Sequence, residues 1–319
     1  AESEFGRADD LRRNLTHIHL CGRLANLVYS MDATHIEFLP YQYKPVLSFL
    51  ESPSKGLLIA DEVGLGKTIE AGLIWTELRS RLESRRLLVV CPAFLREKWC
   101  QELKNRFGIE AEIMNAYQLH EHLKQKKYDI QDGTAIVCSL QGIRPPPNWD
   151  ENKKIKGGQN KRELARFLDE KADDNPIIDL VIIDEAHHLR NPDTQTAKLG
   201  TMLRNVSENI VLLTATPINL KDLDLFYLLK LVDPDSFNSP DIFSHILNAN
   251  EPLVQARELA LNRKKTANDI TEKLNTAKSH PFLSNSRLLE NLLNKGITDK
   301  DLQSDTGRIR LADQIGKLN

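Results

Sequence analysis

The chain has 319 residues, 40% hydrophobic and 28% charged, and its 43 Lys and Arg against 45 Asp and Glu leave a net charge of −2. That length suits two domains, or one α/β domain with appendages, and the charge balance excludes a histone-like polyanion binder while leaving room for a local basic track. No apolar run approaches the ~20 residues of a bilayer span, no signal-peptide pattern opens the chain, and Cys21, Cys91, Cys100 and Cys138 show no C-x-x-C spacing, so they read as reduced thiols in a cytoplasmic protein.

Residues 1–34 form a flanking segment whose first ten positions read as disordered. His17, His19 and Cys21 follow, but alternate residues point to different sides of a strand or helix, which disfavours a metal site. Leu39-Pro40-Tyr41-Gln42 precedes an apolar-periodic helix from Val46 to Leu50. The Gln42 amide offers one donor and one acceptor, matching the edge of adenine. On spacing alone, a solvated helix residue is the favoured explanation of Gln42.

Leu57 to Ala60 read as a buried strand, and Lys67-Thr68 open an amphipathic helix to about Leu82. Strand, glycine-bearing turn and helix N-terminus together make a phosphate-cradling loop, Asp61-Glu62-Val63-Gly64-Leu65-Gly66-Lys67-Thr68. Gly64 and Gly66 let backbone N–H groups approach a polyphosphate. Lys67 supplies a point charge to the β- and γ-phosphates, and the Thr68 hydroxyl suits Mg²⁺. The strict pattern wants glycine where Asp61 stands. Arg79, Arg81, Arg85 and Arg86 read as cations favoured by a helix C-terminus.

Further core strands are expected at Leu87–Cys91, Ala135–Cys138, Leu180–Ile183 and Ile210–Leu213, with a helix from Ala93 to Phe107 holding Trp99. Residues 144–175, with three prolines and a Lys-rich stretch, read as a solvated surface insertion. A Leu-rich helix from Asp222 to Leu231 and a polar, helical tail follow. Continuous apolar strands separated by helix-length segments mean a mostly parallel sheet covered by helices on both faces. Ligands bind off the carboxyl ends of such strands. There Asp184 can hold Mg²⁺ opposite Thr68, and Glu185 can orient the attacking water or take its proton. Thr214 and Thr216 either cap the next helix or bond His187 and link the γ-phosphate site to another surface.

The ordered set Leu39 to Gln42, Ala60 to Thr68, Val90-Cys91-Pro92, Asp184 to His187 and Leu213 to Pro217 resembles the first RecA-like lobe of superfamily-two helicase-like ATPases. Within them it is similar to the Swi/Snf family, whose own phosphate loop carries Asp at position 61. Glu70-Ala71-Gly72-Leu73 and Asp184 to Asn191 look most like its bacterial, RapA-like branch. The resemblance covers residues 35–235 and implies a lobe of a DNA-dependent ATPase that translocates on double-stranded DNA without separating strands. It implies ATP and Mg²⁺ as cofactors, with Lys67, Asp184 and Glu185 catalytic and Gln42 on adenine. Thr68 and Asp184 would hold the metal, and His187, Thr214 and Thr216 would couple nucleotide state to grip. Pro92 and Phe94, with Ser139 and Gln141, would touch strand phosphates. No second phosphate-loop-like sheet follows residue 235, so residues 236–319 read as a helical extension toward a second lobe, and the chain as an N-terminal fragment. An arginine finger from that lobe is worth ~10³–10⁵ in rate, so the fragment should bind ATP but hydrolyse it poorly. Two alternatives stay open: an RNA helicase lobe, or an ATP-gated platform docking on RNA polymerase or a defence or repair subunit.

Overall fold

Five continuous apolar runs become parallel strands, and a sixth strand joins them. In this computed structural model the described residues are 39–61, 64–126, 129–130, 134–151, 158–215 and 222–318. The expectations for His17, His19 and Cys21, for Glu62 and Val63, and for Thr216 and Pro217 lie outside them. The chain divides between Ser236 and Phe237 into two compact units.

The first unit opens with α1 (Pro40–Glu51), β1 (Gly56–Ile59), α2 (Lys67–Leu82) and β2 (Leu87–Cys91). A 3₁₀ turn at Ala93–Leu95 leads into α3 (Arg96–Phe107), β3 (Glu110–Met114), α4 (Ala116–Lys124), β4 (Thr134–Ser139) and the one-turn α5 (Leu140–Ile143). Then come α6 (Gln159–Glu170), β5 (Ile178–Ile183), a 3₁₀ turn at Ala186–Leu189, α7 (Gln195–Val206), β6 (Ser207–Leu213) and α8 (Asp222–Val232). The strands form one sheet in the order β1-β6-β5-β2-β4-β3, every pairing parallel. Parallel neighbours require crossover connections, and the helices between strands provide them.

The period of two along each strand divides the core. Leu88, Val90, Val181 and Ile183 pack on one face with Leu164 and Leu168 of α6 and Leu199 and Leu203 of α7. Leu87, Val89, Leu180 and Ile182 pack on the other with Val46, Leu73, Ile74, Trp99 and Leu103. Both faces are therefore dry, which is why β2 and β5 are buried at every residue, and Leu87–Cys91 and Leu180–Ile183 read as uninterrupted apolar runs. Cys91 and Cys138 are buried free thiols inside this core, and burial pushes each pKa up to about 12.

Three features differ from the sequence expectation. The sixth strand, β3, lies at the sheet edge with Glu110 and Glu112 alternating with more buried residues, a half-solvated pattern that no apolar run announces. Inside the expected surface insertion, Gln159–Glu170 is a regular helix that buries Leu164, Ala165 and Leu168. The basic cluster splits as well. Helix α2 ends at Leu82, and Arg86, only 2% exposed, lies beyond it. Its guanidinium donates to the carbonyls of Ile177 at 2.8 Å, Gln125 at 2.9 Å and His122 at 3.1 Å. The Asp179 carboxylate accepts the backbone N–H groups of Arg85 and Arg86. Burial lowers the Arg86 pKa to about 10, with Asp179 opposing that shift.

The second unit holds α9 (Pro240–Leu261), α10 (Ala267–Lys278), α11 (Arg287–Lys295) and α12 (Asp305–Gly316). Each begins at a hydroxyl cap, Ser239, Thr266, Ser286 or Ser304, that accepts a first-turn N–H. Such caps satisfy donors a helix start otherwise leaves orphaned. Leu253, Ile270, Leu274, Leu289 and Ile315 form a separate core. No helix among the described residues is long and apolar enough to cross a membrane.

Candidate functional site

Because all six strands run the same way, the segments after β1, β2, β4, β5 and β6 emerge at one end of the sheet. Every described candidate residue except Gln42 follows one of those strands, and Gln42 is brought in by α1.

After β1 the backbone turns through two glycines in the left-handed region, Gly64 at φ +93° and Gly66 at φ +94°. Gly66 caps α2, its carbonyl accepting from Ile69 at 2.7 Å and Glu70 at 3.1 Å. The helix start thus points its N–H groups and positive dipole end at the turn. Lys67 Nζ donates to the Asp61 carbonyl at 2.8 Å. Gln42, 2% exposed, donates through Nε2 to the Leu65 carbonyl at 3.3 Å, while its Oε1 is buried without a partner. A Cβ at Gly66 would stand 2.5 Å from Gln42 Nε2. The glycine therefore serves two needs, the positive φ and the close approach of Gln42. A cleft of about 480 Å³ opens alongside, lined by Tyr41, Lys44, Pro45, Asp61 and Leu65.

Asp184 continues the ladder of β5, its N–H donating to Val90 O at 2.8 Å. One carboxylate oxygen accepts from the Glu185 N–H at 2.8 Å and the other from the Trp99 indole Nε1 at 2.9 Å. Glu185 sits at φ +53°, a strained conformation for a residue with a Cβ. Such backbone costs on the order of 1–3 kcal/mol and persists where the surroundings dictate it. The following 3₁₀ turn brings His187 Nδ1 to 3.1 Å from Glu185 Oε2, without the alignment of a hydrogen bond. The His187 and His188 rings lie tilted against each other with centroids 4.2 Å apart, and burial and then His187 lower the His188 pKa.

After β6, Thr214 is fully buried, and its N–H donates to Ile59 O at 3.0 Å, tying the end of β6 to the end of β1. After β2, Pro92 starts the 3₁₀ turn that presents Phe94, 81% exposed. After β4, Ser139 is buried and its hydroxyl accepts from Gly142 N at 3.0 Å, capping α5. Of that pair only Gln141 faces solvent, its carbonyl accepting from Lys161 Nζ at 2.8 Å.

Two site residues were missed by sequence reasoning. Trp99 read simply as part of a helix, although a buried indole N–H needs an acceptor. Glu70, one turn into α2, is fully buried, and among the described residues no donor reaches either carboxylate oxygen. Burial and then the adjoining Asp61 carboxyl raise its pKa to about 7, against the pull of Lys67. With both carboxyls ionised no donor lies between them, and a proton on Glu70 supplies one. The residues fit a nucleotide with Mg²⁺: a turn with open space at Gly64, an unused acceptor on Gln42, and a carboxylate at Asp184 fixed by two donors. A further cleft of about 550 Å³, between Trp149, Met202 and Tyr227, contains none of the expected site residues.

The profile of the SNF2-related domain matches residues 31–302. Over 234 residues the chain is 28% identical to the RNA polymerase-associated protein RapA of Yersinia enterocolitica, covering 72% of this chain and 22% of that protein. It is 29% identical, over the same shares, to RapA of Yersinia pseudotuberculosis. The chain thus spans about a fifth of the length of these relatives. Among solved structures, the Sulfolobus solfataricus SWI2/SNF2 ATPase core in complex with dsDNA has a TM-score of 0.45 at 22% identity, covering 66% of this chain and 39% of that one. The family profile extends across the sheet and all the loops described above, and the chain belongs to the SNF2-related family of helicase-like ATPases.

Proposed function

We propose that this chain is the nucleotide-binding lobe of an ATP-driven motor that tracks along double-stranded DNA without separating its strands. The observation that carries the reading is the common exit of the loops bearing Lys67, Phe94, Asp184 and Thr214 from one end of a parallel sheet. When bound, Mg²⁺-ATP supplies the reactive phosphoanhydride and a cation that neutralises charge on its oxygens.

In this reading Gln42 contacts adenine, and residues 61–66 wrap the phosphates with backbone N–H groups. Lys67 exchanges the Asp61 carbonyl for phosphate oxygens. Thr68 and Asp184 are the metal-holding residues, and Glu185 orients water and accepts its proton. His187, Thr214 and Thr216 relay occupancy of the γ-phosphate site. Phe94 and Gln141 line the polymer track, presented by the turns that the buried Pro92 and Ser139 start. Most of the rate gain then comes from positioning and fixed charge. The name of the RapA relatives supports RNA polymerase as a partner, with a repair or defence subunit as the alternative, in a cytoplasmic setting.

The test combines binding of a fluorescent ATP analogue with Mg²⁺ and ATP hydrolysis in the presence of duplex DNA, single-stranded DNA or structured RNA, with Glu185→Gln as the blank. Duplex stimulation that weakens with salt, at about −0.9 in log–log slope per phosphate contact, is expected. Stimulation by RNA alone makes the chain part of an RNA-remodelling enzyme. Nucleotide binding that no polymer affects makes it an ATP-gated platform.

A further inference from the structure

The Asp184 carboxylate is not held by its own loop alone. Its second donor is the indole N–H of Trp99, 85 positions away in sequence. Trp99 is 2% exposed and packs in the core on the face shared with Leu103 and Trp75. It sits in the first turns of α3, five residues after Phe94, and the connection between them is stiff. Pro92 O accepts from Leu95 N at 2.9 Å, and Ala93 O accepts from Arg96 Nε at 3.0 Å. A displacement of the Phe94 turn therefore moves the start of α3, and with it the donor on Asp184.

We propose that Trp99 is a positioning residue that aims the Asp184 carboxylate at the nucleotide-bound cation and links it to a nucleic-acid strand lying against Phe94. This rests on the ATPase reading above. An outer hydrogen bond of this kind fixes the orientation of a ligating carboxylate, and its loss typically costs ~10- to 100-fold in metal affinity. Linkage is reciprocal: if a polymer at Phe94 shifts the indole, Mg²⁺-nucleotide shifts polymer affinity by the same factor.

Trp99→Phe keeps an aromatic ring and removes only the donor. The half-saturating Mg²⁺ concentration for binding of a fluorescent ATP analogue is expected to rise about 10-fold, while binding of the analogue in EDTA stays as in the wild type. An unchanged Mg²⁺ dependence in a variant that melts like the wild type overturns the proposal.

A second measurement needs no altered Trp99. The chain has three tryptophans, and Trp75 Nε1 has no hydrogen-bond partner, so ¹⁵N-indole spectra distinguish them once Trp75→Phe and Trp149→Phe assign the peaks. The Trp99 resonance should shift when Mg²⁺ is added to the nucleotide-bound chain. It should shift again with a duplex oligonucleotide, and that second shift should vanish in Phe94→Ala. Absence of either wild-type shift overturns the proposal, whether or not Trp99→Phe folds. A wild-type chain that binds no Mg²⁺-nucleotide overturns the ATPase reading first, and this inference with it.

Discussion

Lys67 Nζ donates to the carbonyl of Asp61, 2.8 Å away, within its own loop. The charge that the phosphate-loop reading assigns to a polyphosphate is thus held by a neutral acceptor beside the turn. Exchanging that acceptor for phosphate oxygens gives the ammonium anionic partners in place of a neutral carbonyl, adding opposite-charge attraction to the hydrogen bond. Lys67→Met should weaken binding of a fluorescent ATP analogue about 10- to 100-fold, the range for lost hydrogen bonds to a charged group. Wild-type affinity in Lys67→Met would remove the loop from the site.

The base role proposed for Glu185 separates binding from chemistry. Glu185→Gln keeps the shape of the side chain and removes its basicity, so nucleotide affinity should stay close to wild type. Duplex-stimulated turnover should fall by at least about 10²-fold, the lower end for general-base loss. A variant that turns over normally would show that another group activates the water.

Gly66→Ala tests the crowded start of α2. The new methyl meets a positive φ and the Gln42 amide together, and the backbone strain alone is worth about 1–3 kcal/mol. Both a lower melting temperature and a weaker affinity for the ATP analogue are expected. Gln42→Ala relieves the contact without relieving φ, so the double variant should recover only part of the stability.

The buried carboxyl of Glu70 makes the nucleotide-free chain pH-sensitive. Its pKa rises from 4.5 to about 7 on folding, so the folded state binds its proton more tightly than the unfolded chain. The stabilisation is therefore fully present below pH 4.5 and is lost as the pH rises through about 7. The magnitude is on the order of 3 kcal/mol. Urea unfolding of the first unit across this window should show stability falling toward pH 7. In Glu70→Gln the slope should flatten, and the variant should be the more stable protein above that pH. An identical slope in the variant would assign the titration elsewhere.

Arg86 should be as sensitive as any core residue. Arg86→Met leaves the carbonyls of Ile177, His122 and Gln125 without their donor, and each buried acceptor left unsatisfied costs about 1–3 kcal/mol. Arg86→Lys should rescue less than half, because one ammonium cannot reproduce the planar fork. Chemical denaturation of the two variants checks both statements.

What was legible in the sequence follows from burial. The runs Leu87–Cys91 and Leu180–Ile183 are covered on both faces, so composition alone marks them as strands. Strand β3 escaped because Glu110 and Glu112 belong to a sheet edge that only the tertiary fold creates. Helix α6 escaped because Leu164, Ala165 and Leu168 are a narrow stripe among Lys, Arg and Glu. The turn through Gly64 and Gly66 into the helix at Lys67 was legible because its residues are contiguous and each type answers a local need. The Trp99–Asp184 hydrogen bond was not, since its halves come from β5 and α3 and meet only after β2 and β5 pair. Glu70 was hidden for a similar reason: its neighbour Asp61 was itself read as a departure from pattern, and its burial depends on how α2 packs.

Strand β1 sets a timetable for synthesis. Its ladder partner is β6, with Gly56 opposite Ile210 and Ile59 opposite Leu213. A chain emerging from the ribosome carries the apolar Leu57-Leu58-Ile59 and the loop that follows long before that partner exists. At ~5–20 residues per second the interval is on the order of ten seconds. The glycine turn after β1 is thus made early and anchored late, after the central strands have had time to assemble. Any product truncated before Ser207 leaves β1 without the strand that holds it, so incomplete chains should expose a sticky edge and leave that turn unanchored. Nucleotide present during translation can favour only chains that have already passed that point.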